Sequence, residues 1–362
     1  MRIVASLKMK CFMVMEKMVT YADEIIDAFI DSVIKQKVDM VLLTGDLTFN
    51  GEIGSHQALA EKLKRLEDNG VQVAVTAGNH DIDNIYTKGY GKDDYIEVDN
   101  ISGEDFKDIY KDFGYDISVC EHKESLSYEI HLNDKYSLIV IDSNTHEMTT
   151  GSALDTGGKI TDSTKKWLMN RLEYSKKNNR VPLIAMHHNL GIHSELLNNG
   201  YTIADNETFI DLFHSYSVPI VLSGHLHMQS ILDVDGIKEI ATSSLVVNPL
   251  QYGLLEMSND KIKYNTQSLM ISKNSEDYFD EVGNNKFYNE TDDEGALLKR
   301  KAIVLANKHY FAGTIASVKD EIMNMEGYTL IMKEDDNFYK LYLESMLRND
   351  DNNTGLEIKI QN

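Results

Sequence analysis

The chain has 362 residues, of which 42% are hydrophobic and 26% are charged, as expected for one large globular domain with a smaller extension. Its formal net charge of −22 argues against nucleic acid as the main partner, because a phosphate backbone would be repelled. Two cysteines cannot build a disulfide framework or a thiolate zinc site, and no apolar run is long enough to span a membrane.

The first segment, Met1–Met15, is mildly basic and apolar. Lys8 and Lys10 interrupt it, so it is a poor secretory signal, and we expect a cytoplasmic protein by default. The remaining elements follow from apolar periodicity. The spacing predicts helices over 21–37, 55–69, 102–113, 161–177 and 205–216, and strands over 38–44, 71–76, 125–131, 136–142, 181–186 and 218–223.

Continuous apolar strands that alternate with helices indicate a sheet covered on both faces. Alternating stretches up to residue 240, and again over 252–269, suggest that antiparallel strands complete the domain. After about Ser272 the composition changes to Asn, Asp, Glu and Lys, and periodicity over 293–325 predicts two helices. We therefore predict a main domain over 1–271 and an acidic, mainly helical extension over 272–362.

Four of the apolar strands each end in a short polar cluster. The clusters are Gly45-Asp46, Gly78-Asn79-His80-Asp81, His187-His188 and Gly224-His225-Leu226-His227. Ligands gather beyond the carboxyl ends of strands in α/β sheets, so we expect these clusters to converge. Any one of them alone is more often a turn or a structural loop than a metal site. All four together, in this order and at strand ends, are not expected by chance.

The side chains of these clusters suit two divalent cations. A carboxylate, an amide oxygen and three imidazoles favour Mn, Fe or Zn over calcium, because few of the donors are oxygen. Two ions about 3.5–4 Å apart can clamp a phosphoryl group and lower the pKa of a bridging water. The sequence therefore predicts a centre for hydrolysing phosphate esters.

These clusters resemble the motifs of the calcineurin-like metallophosphoesterase superfamily, over roughly residues 21–269. The resemblance implies a four-layer α/β/β/α sandwich with a dinuclear metal site at one end. By position, Asp46 would bridge the two ions, Asn79, His187 and His225 would complete one ion, and His227 would bind the other. We prefer His187 to His188 because it comes first after the strand.

His80 resembles the histidine with which the family contacts the substrate and protonates the leaving oxygen. Its neighbour Asp81 would orient the ring and raise its proton affinity. The alternative is that His80 only hydrogen-bonds its own loop. The histidines outside any motif are expected to be core or surface residues, and they are His56, His122, His131, His146, His193, His214 and His309.

The family pattern begins with a strand that ends in Asp-x-His, and both of those side chains bind the same ion as His227. Here the first aspartate is Asp23 and the first histidine is His56, so this pattern is absent. We expect an N-terminally shortened member with a missing or altered first strand, unless Met1–Met15 fills that position. The second ion would then bind weakly or not at all.

Three functions therefore stay open. The first is a metal-dependent hydrolase that acts on a small-molecule phosphate mono- or diester. The second is a weakly active or inactive remnant that binds one ion, since Asp-x-His is absent. The third is an interaction protein in which the acidic extension docks a partner and the metal is structural. Fold alone does not choose the substrate.

Overall fold

Two β-sheets packed face to face form the centre of the protein, in a computed structural model that describes residues 1–5, 18–90, 95–145, 156–271, 294–335, 338–349 and 353–360. Strands are numbered along the chain. The first sheet contains β1 (Arg2–Ala5), β2 (Met40–Leu43), β3 (Gln72–Val75), β13 (Gln251–Met257), β14 (Lys261–Ser268) and β15 (Gly355–Lys359), in the order β15-β14-β13-β1-β2-β3.

The second sheet is built from the middle of the chain. It contains β6 (Cys120–Glu121), β7 (Tyr128–His131), β8 (Tyr136–Ile141), β9 (Val181–Met186), β10 (Ile220–Ser223), β11 (Ser230–Val234) and β12 (Ile237–Ala241), in the order β11-β12-β10-β9-β8-β7-β6. A separate short hairpin pairs β4 (Gly89–Tyr90) with β5 (Tyr95–Ile96). In sequence, this hairpin lies between β3 of the first sheet and β6 of the second sheet.

Nine α-helices accompany the sheets in the described residues. They are α1 (Ala22–Gln36), α2 (Ile53–Glu67), α3 (Gly103–Ile109), α4 (Asp162–Lys177), α5 (Asn206–Ser215), α6 (Glu294–Phe311), α7 (Lys319–Met323), α8 (Glu326–Met332) and α9 (Phe338–Leu347). Shorter turns of other helix types cover Val19–Tyr21, Lys111–Tyr115 and Ile315–Ser317. None of the described helices is long and apolar enough to cross a bilayer.

The position of the first strand is filled. Strand β1 pairs in parallel with β2 and antiparallel with β13, so Ile3 is in register with Met40 on one side and with Leu255 on the other. Of the two alternatives, a missing or an altered strand, the protein has a strand made by residues that carry no Asp-x-His. Residues 6–15, the rest of the segment expected to fill this position, lie outside the described residues.

Side chains of β8 divide the structure into layers. Leu138 and Val140 point into the cluster shared with the first sheet, whereas Ile139 and Ile141 pack with α4 and α5. Helices α1 and α2 cover the other face of the first sheet through residues such as Phe29. This alternation has the period of two that a strand buried on both faces requires, and it gives the α/β/β/α order.

Local signals set several helix ends as predicted. The hydroxyl of Thr161 accepts a hydrogen bond from the Thr164 N–H at 3.1 Å, which confirms Thr161 as the cap of α4. The predicted helix over 102–113 ends earlier, at Ile109. Gly114 has a φ of 102°, a left-handed conformation that a helix cannot continue through.

The turn at Gly114 makes room for a tyrosine that covers the edge of the first sheet. A Cβ atom on Gly114 would lie 2.6 Å from the hydroxyl oxygen of Tyr128. That hydroxyl accepts a hydrogen bond from the Val75 N–H at 3.0 Å and donates one to the Val75 carbonyl at 2.7 Å. Val75 is the last residue of β3, which is the edge strand, so one side chain satisfies both of its backbone groups.

The C-terminal part of the chain, defined here as the C-terminal unit (residues 294–349 and 353), packs its helices α6–α9 around a separate apolar cluster. Helices α6 and α7 account for the two predicted over 293–325, and α8 and α9 follow them. After the unit, β15 pairs antiparallel with β14 and returns the chain to the first sheet. The domain boundary at residue 272 falls outside the described residues and stays a prediction.

Candidate metal centre

The four polar clusters lie at the ends of strands in both sheets. Asp46 follows β2 and Asn79 follows β3, and we call these two loops of the first sheet the first rim. His187 follows β9, and His225 and His227 follow β10; these two loops of the second sheet form the second rim. The two rims face each other, so donors from distant parts of the sequence meet.

His187 is the point where the two rims touch. Its Nε2 atom lies 3.2 Å from Asp46 Oδ1, 3.1 Å from Asn79 Oδ1 and 3.0 Å from His225 Nδ1. The side chains of Asp46 and His187 are fully buried. Three of the other four predicted ligands therefore lie within 3.2 Å of one nitrogen of His187.

Hydrogen bonds on the outer side of each ring fix which nitrogen faces the others. His187 Nδ1 lies 2.8 Å from the Thr44 carbonyl, and His225 Nε2 lies 3.1 Å from the Gly200 carbonyl. A carbonyl oxygen can only accept, so these two ring nitrogens carry the protons. The lone pairs of His187 Nε2 and His225 Nδ1 then face each other and the oxygens of the first rim.

Lone pairs and a carboxylate that converge in this way repel one another unless a cation or an added proton lies among them. Metal-binding histidines characteristically donate their other N–H to a backbone carbonyl, as both rings do here. Two neutral imidazoles, an amide oxygen and a carboxylate oxygen are suitable donors for a divalent transition metal. The residues present fit a metal ion at this place.

The second oxygen of Asp46 faces different residues. Asp46 Oδ2 lies 3.7 Å from His80 Nε2 and 4.0 Å from His227 Nε2. His227 is the fifth predicted ligand, and its side chain is almost completely buried. The two oxygens of the Asp46 carboxylate therefore face different histidine side chains.

The backbone at both rims makes tight turns and lies close to the donor side chains. Asp46 and His227 have left-handed φ angles of 51° and 60°, a conformation that few non-glycine residues adopt. A Cβ on Gly45 would lie 2.5 Å from His187 Nδ1, and a Cβ on Gly78 would overlap Asp46 Oδ1. Glycine is therefore required at 45 and 78 because another donor side chain occupies the space.

Asp81 braces the first rim. Its Oδ1 accepts from the Thr48 N–H at 2.9 Å and its Oδ2 accepts from the Gly78 N–H at 2.8 Å, so it joins the two loops. Burial and the neighbouring Asp46 carboxylate raise the pKa of Asp81 to about 7. Asp81 thus holds the loops of the first rim together, and its predicted role in orienting His80 stays a prediction.

His56 lies beneath the same loops and is a core residue, as expected for a histidine outside the motifs. Its Nδ1 contacts the hydroxyl of Tyr110 at 2.9 Å, and its Nε2 lies 3.0 Å from the Asp81 carbonyl. Burial lowers the pKa of His56 to about 4, with the Asp81 carbonyl acting in the opposite direction. His56 is therefore neutral in the folded protein at neutral pH.

His188, the neighbour of His187 in sequence, also lies close to the centre. It is buried, its Nδ1 lies 2.8 Å from the Ser143 hydroxyl, and its ring centroid is 4.6 Å from that of His225. Ring nitrogens of His187, His188 and His225 lie within 4.8 Å of one another. His187 Nε2 lies close to both Asp46 and Asn79, and the preference for His187 over His188 stays a prediction.

Glu239, on β12, is a residue of the second rim that the sequence analysis missed. Its Oε1 accepts from the Leu190 N–H at 2.7 Å and from the Ser223 hydroxyl at 2.8 Å. Its Oε2 accepts from the Gly191 N–H at 2.7 Å and lies 3.1 Å from His193 Nε2. The carboxylate joins the loop after His187 to the strand end before His225. The sequence offered no clear signal, because the strand Ile237–Ala241 also contains Lys238 beside Glu239.

Comparison with known proteins gives one family match and several similar structures. A sequence model described as calcineurin-like phosphoesterase matches residues 21–229. A dimetal phosphatase from Danio rerio has a similar structure, with a TM-score of 0.56 and 13% identity over 74% of this chain and 96% of that one. A Plasmodium protein described as the anchor in the inner membrane complex matches with a TM-score of 0.43 and 15% identity, over 77% and 93% of the two chains. No curated protein matches this chain significantly in sequence.

Proposed function

The chain belongs to the calcineurin-like phosphoesterase family, and from this membership we propose that it hydrolyses phosphate mono- or diesters with a dinuclear centre of Mn, Fe or Zn. Asp46, Asn79, His187 and His225 would hold one ion, and Asp46 and His227 would hold the other. When bound, the two ions supply positive charge for the phosphoryl oxygens and lower the pKa of a water between them.

The observation that carries this proposal is that the two carboxylate oxygens of Asp46 face different residues. Its Oδ1 atom is 3.2 Å from His187, whereas its Oδ2 atom is directed toward His227 and His80. A mononuclear structural site would need only the first of these arrangements. Nitrogen donors near both oxygens of Asp46 support a two-ion centre, even though Asp-x-His is absent from the sequence.

His80 is the residue that we assign to proton transfer. Its side chain keeps 15% of its surface exposed, while those of Asp46 and His187 are fully buried. Its backbone N–H donates to Asp46 Oδ1 at 3.2 Å, which fixes the loop against the bridging carboxylate. A partly exposed imidazole beside a phosphoryl site can donate a proton to the leaving oxygen.

The segment that follows His80 and carries the β4–β5 hairpin offers space for the organic part of the substrate. A cavity of about 560 Å³ is lined by residues 84–85, 87 and 97–100. Asn84 connects it to the centre, because its side-chain N–H group donates to the His80 carbonyl at 3.2 Å. The cavity is large enough for a small molecule, which supports a small phosphate ester as the substrate.

Metal analysis combined with turnover tests this proposal. The full chain, loaded with Mn²⁺ and freed of excess ion, should retain about two ions and hydrolyse p-nitrophenyl phosphate or bis(p-nitrophenyl) phosphate. About one ion with no turnover of either ester would contradict the dinuclear hydrolase and favour the one-ion remnant. Retention of no ion would contradict both.

A further inference from the structure

The C-terminal unit is built into the loop that carries His225 and His227. Gln229 follows His227 by two positions, and its backbone N–H donates to the Phe311 carbonyl at 3.0 Å. Its side chain donates to the Asn353 carbonyl at 2.8 Å, and Asn353 Oδ1 accepts from the Ile231 N–H at 2.9 Å. The backbone that leaves the metal ligands is therefore anchored on the C-terminal unit.

Apolar packing joins the same two regions. Leu226 lies between the two predicted ligands in sequence, and both it and Met228 are 1% exposed. Neither packs in the main core. Both belong to the apolar cluster of the C-terminal unit, whose other members include Ala302, Ile303, Ala306, Tyr310, Phe311, Ile315, Tyr342, Leu343 and Met346. Alternate residues of the His225–Met228 segment thus face the metal centre and the helical cluster.

A second contact reaches the loop that holds the ring of His225. Tyr310, on α6, donates from its hydroxyl to the Ser194 hydroxyl at 2.8 Å, and both residues are buried. Further along that loop, Tyr201 packs against the helical cluster, and its ring centroid is 5.0 Å from the His225 ring. The Gly200 carbonyl of the same loop accepts a hydrogen bond from His225 Nε2.

We propose that the C-terminal unit is a positioning element for the metal centre, and that Tyr310 acts in it as a positioning residue. This inference rests on the proposed function, since it supposes that His225 binds a metal ion. Tyr310 holds the Ser194 end of the loop, the loop holds the outer nitrogen of His225, and the orientation of that ring sets the direction of its lone pair. Groups that orient a metal ligand in this way typically change metal affinity 10–100-fold.

A matched pair of tyrosines isolates this effect. Tyr310 and Tyr342 are both buried, and each donates one hydrogen bond, but Tyr342 donates to Asn307 inside the C-terminal unit, at 2.7 Å. Tyr310→Phe should weaken Mn²⁺ binding about tenfold in calorimetric titration of the full chain. Tyr342→Phe should leave Mn²⁺ affinity unchanged while costing a similar loss of thermal stability. Substituted Co²⁺ should show an altered visible absorption spectrum only in Tyr310→Phe.

A double-mutant cycle tests the route through Ser194. Ser194→Ala should weaken Mn²⁺ binding as much as Tyr310→Phe, and the double variant should be no weaker than either single variant. Equal affinity in Tyr310→Phe, Tyr342→Phe and the wild type would overturn the positioning role and leave the proposed function standing. Failure of the wild-type chain to bind Mn²⁺ would overturn the proposed function, and the positioning role with it.

Discussion

The two rims of the metal centre are braced in different ways. In the first rim, Asp81 bonds to Thr48, only 33 positions away in sequence, and both residues lie inside the matched family region. In the second rim, Ser194 bonds to Tyr310 across 116 positions, and Gln229 bonds to Asn353 across 124. The partners of the second rim lie beyond residue 229, where the family match ends. A motif can therefore supply ligands whose placement depends on chain outside the motif.

The largest effect on turnover is expected from a change at Asp46, because its carboxylate contacts histidines of both rims. Asp46→Asn removes the negative charge between the two sets of nitrogen donors, so turnover of a generic phosphodiester should fall about 1,000-fold or more. Metal content should fall as well, because a neutral amide is a weaker bridge. Asp211→Asn, at an exposed position of α5, is a suitable control. Wild-type turnover in Asp46→Asn would refute the site.

Glu239→Gln tests the bracing of the second rim. The amide keeps one acceptor oxygen and puts an NH₂ group against backbone N–H donors that are buried, so the free energy of unfolding should fall by about 2–3 kcal/mol. Urea unfolding of the metal-free protein measures this. Asp81→Asn is the corresponding change in the first rim and should cost less, because the raised pKa of Asp81 means that folding disfavours its charged form. A cost near zero for Glu239→Gln alone would mean that the second rim does not rely on this carboxylate.

His80→Ala separates chemistry from metal binding within the first rim. Loss of a proton donor should lower turnover about 100-fold. Metal content should stay close to that of the wild type, because His80 is outside the predicted ligand set. Both quantities are to be measured on the same preparation, and loss of metal in this variant would contradict the role assigned to His80.

A smaller effect is expected when the pH is lowered, which should reduce folding stability through His56 beneath the first rim. The pKa of His56 is lowered to about 4 by burial, so between pH 7 and 5 the unfolded chain takes up a proton at this position and the folded chain does not. Stability therefore falls as the pH falls, by about 2 kcal/mol at pH 5 from this residue. His56→Gln should show a loss between pH 7 and 5 that is smaller by this amount, in urea unfolding with chelator present. An unchanged pH dependence would exclude His56 as its cause.

The sequence predicted the parts of the fold that depend on local periodicity. Strand β9 has the predicted bounds, and Thr161 caps α4 because both signals lie within a few residues of the element. The convergence of Asp46, Asn79, His187 and His225 was also predictable, since strand ends of a layered α/β protein meet at one side. The ligand roles themselves stay predictions.

The sequence could not predict the groups that orient these ligands. Glu239 and Tyr310 act over long separations, and nothing in their own neighbourhoods marks them as part of the centre. The sequence also did not predict that the Asp81 carboxyl group would join two loops through their backbone N–H groups.

The hydroxyl of Tyr128 at the end of β3 has a consequence for the protein in crowded solution. An edge strand with free backbone groups is a template on which a second copy can polymerise. At Val75 both groups are already bound to Tyr128, so an incoming strand finds neither a donor nor an acceptor there. The covered residue lies four positions before Asn79. The centre is thereby kept clear of the self-association that an open edge would invite.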